Sequence, residues 1–220
     1  MQSPKNKIEL VQMPPQNTNS VVVFNGANCI VFDPWGRAGD WKKYFSEHNV
    51  TPIAIYATHG HPDHISAAAE LAEHFDIDWH MSHLDMDLID WGNGLLDYFG
   101  LPKLSQDNRA PIDISSDCSK MIFSDTEMQI ISLPGHTRGG VGYYLPDAGV
   151  FIVGDTLFQD SYGRTDFPGG DEQILFQSIS KIYDMKLPDT TVVIHGHGHH
   201  TTIGWLKQNN RFFHNKNMHK

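Results

Sequence analysis

Cysteine is scarce in this chain. Only Cys29 and Cys118 occur among 220 residues, far apart and in no CxxC pair, which argues against both a disulfide framework and a thiolate zinc site. Basic residues are few as well. Sixteen Lys and Arg stand against 26 Asp and Glu, a formal net charge of -10, and no Lys/Arg run is long enough to follow a phosphate backbone, so nucleic acid is not an expected partner. No stretch reaches the roughly 18 apolar residues that a membrane helix needs, and residues 1–15 hold two lysines but no apolar core of signal-peptide length. No membrane partner is expected, and the expected location is the cytoplasm. Histidine, by contrast, is abundant. Fourteen are present, and imidazole nitrogen is the natural ligand to look for.

With 40% hydrophobic residues over 220 positions, the chain suffices for one sizeable core, and a single domain over 1–220 is expected, with a mobile polar tail after about 209. The pattern reads as two blocks of strands followed by helices. In the first block, strands are expected at 8–13, 20–24 and 29–32, with Asn25-Gly26 turning a hairpin between the last two. A helix near 41–48, a buried strand at 53–57 and an Ala-rich helix at 65–75 follow. A helical region at about 84–98 is interrupted by Gly92 and Gly94. In the second block, strands are expected at 128–133, 141–145 and 150–153, then a helix at 172–185, a strand at 191–194 and a short terminal helix. This is a mixed α/β pattern whose sheets pack under outer helices.

The chemistry concentrates in Thr58-His59-Gly60-His61-Pro62-Asp63-His64. Three imidazoles and a carboxylate within six positions, at the end of a buried strand, need a shared partner. Neutral rings would each want a hydrogen bond and charged ones would repel, whereas a divalent cation satisfies them together. Later His and Asp residues are weaker signals by themselves. His136 after Pro-Gly reads as a turn, Asp155 after a strand reads as a helix cap, and His195, His197, His199 and His200 cannot be ranked by spacing.

In the form THGHPDH, the cluster resembles the HxHxDH signature of the metallo-β-lactamase superfamily. LPGHTRGG at 133–140, VGDTLF at 153–158 and HGHGHHTTIG at 195–204 resemble that family's later motifs, in order. The resemblance implies a four-layer αββα sandwich. It also implies two divalent metal ions, with zinc the first expectation and iron or manganese accepting the same donors. His59, His61 and His136 would hold the first ion and Asp63, His64 and His197 the second, with Asp155 bridging. Asp63 is also the catalytic candidate. A water held between such ions as hydroxide attacks carbonyl carbon. Asp33, in FDPWG, is expected to hold a ligand histidine in place.

The segment GDTLFQDSYGRTDFPGGD at 154–171 is similar to the glyoxalase II-like group, the hydroxyacylglutathione hydrolases, and Asp155 stands where zinc β-lactamases use Cys or Ser. The implied activity is hydrolysis of a small-molecule thioester or ester, with Arg164 as a substrate contact. Departures from the group are specific: Asp166 replaces a tyrosine, Arg138, His195 and His199 replace prolines, and the chain after His197 is short. Weak use of glutathione is therefore expected. The alternatives are a persulfide dioxygenase holding one iron through His59, His136 and Asp155, a lactonase or other ester hydrolase, and a metal-binding module without catalysis. His80 and His83 are read as surface residues, and 84–101 as a wall or lid. The oligomeric state is left open.

Overall fold

The computed structural model describes residues 7–15, 17–104, 109–115, 120–123 and 126–214; Cys118 lies outside them. The chain divides into two compact units, Met1–Ser115 and Ser116–Lys220.

The first unit starts with β1 (Lys7–Val11), β2 (Ser20–Asn25) and β3 (Asn28–Phe32), paired antiparallel, with the β2/β3 hairpin turning at Asn25-Gly26. The helix α1 (Ala38–His48) crosses to β4 (Thr51–Tyr56), and the pairing becomes parallel from β3 onward. Next come α2 (Pro62–Ile65), α3 (Ala68–Phe75), β5 (Asp78–Met81), α4 (Asp87–Tyr98) and the short β6 (Ile112–Asp113). The six strands form one mixed sheet in chain order. Its helix-side core joins Val22, Val31 and Ile55 to Trp41 and Phe45 of α1 and Leu71 and Ala72 of α3. Val21, Val23, Ile30 and Phe32 alternate with them along the strands and are fully buried too. Both faces of this sheet are therefore apolar, which explains why β2 reads as an unbroken valine run rather than an alternating one.

The second unit forms a sheet in the order β12-β11-β10-β9-β8-β7. Its strands are β7 (Lys120–Phe123), β8 (Thr126–Ser132), β9 (Val141–Leu145), β10 (Val150–Gly154), β11 (Val192–His195) and β12 (Thr201–Thr202). Only the β10/β11 pair, joined through α5 (Glu172–Asp184), is parallel. Asp171 caps α5 by accepting the Ile174 N–H at 3.0 Å. Leu175, Ile179 and Ile182 of α5 pack with Phe151, Val153 and Val193 of the sheet. The chain ends in α6 (Ile203–Asn209) and α7 (Arg211–His214). Past Asn209, where the sequence suggests a loose tail, Asn210 and Phe213 are buried and Phe213 belongs to the core. Residues 215–220 lie outside the described ones.

Four local readings are corrected. The helix expected at 65–75 breaks at Ser66-Ala67, where the Ser66 hydroxyl accepts the Gly36 N–H at 2.9 Å and donates to the Gly36 carbonyl at 3.1 Å. The strand β5 occupies a stretch given no element. On it, His80 is buried rather than exposed and stacks on Tyr56 with ring centroids 4.5 Å apart; burial lowers its pKa against the pull of Asp78. Finally, α4 runs through Gly92 and Gly94 without interruption. Leu88, Ile89, Gly92 and Leu96 share its buried side, and that packing outweighs the glycine penalty of about 1 kcal/mol each.

The two glycines are not equivalent. A Cβ at Gly92 would lie 3.0–3.1 Å from the Pro62 ring, whereas a Cβ at Gly94 would meet nothing within 4 Å. Gly94→Ala is therefore expected to raise unfolding stability by about 0.5–1 kcal/mol. Gly92→Ala is expected to lower it by about 1 kcal/mol or more, because the rigid proline ring must be displaced. Urea titration of both variants tests the pair, and equal shifts of the same sign would contradict this account of α4.

Candidate metal centre

In the first unit the donors sit where β4 ends and α2 begins, and buried carboxylates aim them. Asp33 follows β3 with φ 50, a left-handed conformation that aspartate tolerates. Its Oδ1 accepts the Thr58 N–H at 2.6 Å, and its Oδ2 accepts the Thr58 hydroxyl at 2.8 Å and pairs with His64 Nδ1 at 2.9 Å. Thr58 passes the constraint on, since its hydroxyl lies 3.0 Å from His59 Nδ1. With the Thr58 proton given to Asp33, His59 Nδ1 is the donor in that contact. Nδ1–H is thus fixed on both His59 and His64, and both Nε2 atoms carry lone pairs.

The opposite nitrogens converge. His59 Nε2 lies 3.1 Å from His61 Nδ1, and the His59 and His64 ring centroids are 4.1 Å apart. Two nitrogens bound tetrahedrally at 2.0–2.1 Å from one cation stand about 3.3 Å apart, so the His59/His61 pair already has the spacing of two ligands. Asp63 Oδ2 is 3.9 Å from His64 Nε2. The loop is braced from below by Asp85, whose Oδ2 accepts the Gly60 N–H at 2.9 Å. The sequence reading missed Asp85, because nothing in HLDMDL distinguishes it from the other aspartates nearby.

In the second unit Asp155, just past β10, stands between two histidines. Its Oδ2 is 3.6 Å from His136 Nε2 and also 3.6 Å from His197 Nε2. His136 is oriented by main chain: its Nδ1 lies 2.7 Å from the Arg164 carbonyl, which fixes the proton there and leaves the lone pair on Nε2, the atom that could hold a metal. This explains Gly163. A Cβ there would lie 1.8 Å from the Asp155 carbonyl oxygen and 3.1 Å from His136 Nδ1, so only glycine lets the backbone pass. The Gly-Arg-Thr segment was read for its arginine side chain, and the structure gives its backbone the closer part.

The Arg164 side chain is engaged elsewhere. Its Nε and one terminal nitrogen donate to the two oxygens of Asp166, both at 2.7 Å, and its guanidinium carbon lies 3.6 Å from the Phe167 ring centre. The pair holds the Asp166 carboxyl down at about 2. Of the four closing histidines, His197 faces Asp155, His195 is fully buried and His199 and His200 are exposed. Burial pushes His195 down to about 4, against the opposing effect of the Leu157 carbonyl at its Nδ1, and the ring is neutral.

Each unit thus presents imidazole nitrogens beside a carboxylate at a strand end, a donor set of nitrogen and oxygen that suits zinc, iron or manganese. Such donors serve metal-dependent enzymes, and the sequence profile of the metallo-β-lactamase superfamily, a metallo-hydrolase class, matches residues 13–197. The chain belongs to the metallo-β-lactamase superfamily. It is 33% identical to the hydroxyacylglutathione hydrolase GloC of Haemophilus influenzae over 213 residues, 95% of this chain and 99% of that protein. Among solved structures, the B3 metallo-β-lactamase BLEG-1 is similar with a TM-score of 0.81 at 31% identity, over 94% of this chain and 100% of that one. TTHA1623, solved in a di-iron-bound form, gives a TM-score of 0.79 at 32% identity, over 93% and 99%. The fold expected from the motifs is the fold found.

Removing Asp33 should loosen His59 and His64 together. Asp33→Ala is expected to weaken metal binding about 10- to 100-fold, as loss of an outer carboxylate partner does, read by chelator competition on metal-loaded protein. Unchanged affinity would show that the carboxylate does not orient the ligands.

Proposed function

We propose that this protein is a cytoplasmic thioesterase of the hydroxyacylglutathione hydrolase type that uses two divalent metal ions. The observation that carries the reading is the Asp155 carboxylate oxygen equidistant from His136 Nε2 and His197 Nε2, the position of a group shared between two ions. His59, His61 and His136 are proposed for the first ion and Asp63, His64 and His197 for the second. Zinc is the proposed native metal. When bound, such a pair supplies a nucleophile from water near neutral pH and offsets charge developing on the carbonyl oxygen.

The chain's own residues have three tasks. Imidazoles held by Asp33, Thr58 and the Arg164 carbonyl present preset lone pairs, so little reorganisation is needed at the moment of reaction. Asp63, partly exposed beside His64, is proposed to accept a proton from the attacking water. The water oxygen joins the acyl carbon, the C–S bond breaks and the thiol leaves with a proton. Arg164 is proposed as the contact for a substrate carboxylate, at the cost of loosening its pair with Asp166. Likeness to GloC supports the thioester, and likeness to BLEG-1 makes a β-lactam the second substrate to test.

Protein purified without chelator is expected to carry close to two metals per chain and to cleave S-lactoylglutathione with a high KM. Arg164→Ala should raise that KM a few-fold, about what an exposed ion contact contributes, with kcat little changed. Metal analysis and steady-state kinetics test this together. One iron per chain with oxygen uptake on glutathione persulfide would replace the assignment by a dioxygenase, and faster turnover of a β-lactam than of any thioester would replace it by a lactamase.

A further inference from the structure

Along α4, Trp91, Leu95 and Tyr98 stand at i, i+4 and i+7, one face of the helix. They are 39%, 37% and 82% exposed. Single exposed apolar residues are ordinary, but an aligned trio beginning at a reactive centre is not. The trio begins there: the Trp91 ring centroid is 5.7 Å from that of His61. Gly94 lies on the same face, and nothing stands within 4 Å of where its Cβ would be, so the face is open beside Leu95. From Trp91 to Tyr98 the helix rises about 10 Å, close to the length of an extended eight-carbon chain.

Charge narrows the occupant. The helix carries Asp87, Asp90 and Asp97, all exposed, and no basic residue. Lys103 pairs with Asp97 at 3.9 Å, so the like charge that a carboxylate-bearing peptide would meet comes from Asp87 and Asp90, whereas a neutral hydrocarbon meets none. In the other unit, the Arg164 cation is paired with Asp166, and a substrate carboxylate reaches it only at the cost of that pair.

We propose that the α4 face is the acyl subsite, and that it favours thioesters of medium-length apolar acyl chains over the short hydroxyacyl group of S-lactoylglutathione, which is used with a high KM. This rests on the thioesterase reading above and specifies its substrate. The step is the same hydrolysis, giving a fatty carboxylic acid and a free thiol from one water.

The test compares acetyl, butyryl and octanoyl thioesters of N-acetylcysteamine, a small neutral thiol, on metal-loaded protein. From acetyl to octanoyl, kcat/KM is expected to rise at least about tenfold, chiefly through KM, as partial burial of added methylenes gives. In Leu95→Ser/Tyr98→Ser, two exposed positions, the rise should largely vanish. Cleavage of all three at equal kcat/KM overturns the acyl subsite and leaves the thioesterase reading standing. Binding is read apart from turnover with the thioether S-octyl-N-acetylcysteamine, by amide shifts in an NMR spectrum. Shifts centred on Trp91, Leu95 and Tyr98 support the subsite even where no thioester is cleaved, and their absence overturns it. A wild-type dimer that the double variant dissociates would assign the face to a second copy of the chain and overturn it as well.

Discussion

The Asp33 carboxylate and backbone join the ends of three strands. Its N–H donates to the Tyr56 carbonyl at the end of β4, its carbonyl accepts the Ser20 hydroxyl at the start of β2, and its carboxylate binds Thr58 and His64. A buried carboxylate is costly unless its oxygens are satisfied, and here three donors satisfy them. Those same donors set the tautomers of His59 and His64. Fold and chemistry are coupled at this residue: moving the strand ends would move the ligands, and losing the ligands' partner would leave Thr58 donors unsatisfied in the core.

The second unit reaches a comparable end by a different route. There the constraint on His136 comes from a carbonyl rather than a carboxylate, and it depends on a backbone path that only Gly163 permits. A main-chain acceptor cannot be altered by side-chain substitution at Arg164, so the position is free to vary its side chain for other purposes. In this chain the guanidinium is neutralised by Asp166 and stacked on Phe167. One segment thus carries a fixed structural role in its backbone and an adjustable one in its side chains.

Metal-assisted attack on a carbonyl is chemistry that many substrates share, and members of one superfamily divide it among them. What separates them lies in the walls. Here α4 carries exposed aromatic and aliphatic groups beside His61 and only negative charge of its own, while the cation in GRTDF is internally paired.

Much of this was determined by the sequence alone. THGHPDH points to a metal site because three imidazoles and a carboxylate so close together have few other ways to be satisfied, whereas His197 was singled out from its neighbours only by resemblance to the family's closing motif. The valine-rich hairpin, α1, α5 and the strands β8 to β11 of the second unit follow from local pattern, whereas β7 and β12 fall in stretches given no element. Tertiary structure decided the rest. The strand β5 was hidden because DWHM is too short for periodicity to register, and His80 was misjudged with it. Continuity of α4 through two glycines depends on burial against Pro62, a contact that no local window contains. Asp85 and Gly163 act on partners 25 and eight or more positions away. Which residue types could hold a metal is local chemistry and can be read from the chain, but the orientation of their side chains depends on hydrogen bonds between distant segments, which exist only once the chain has folded.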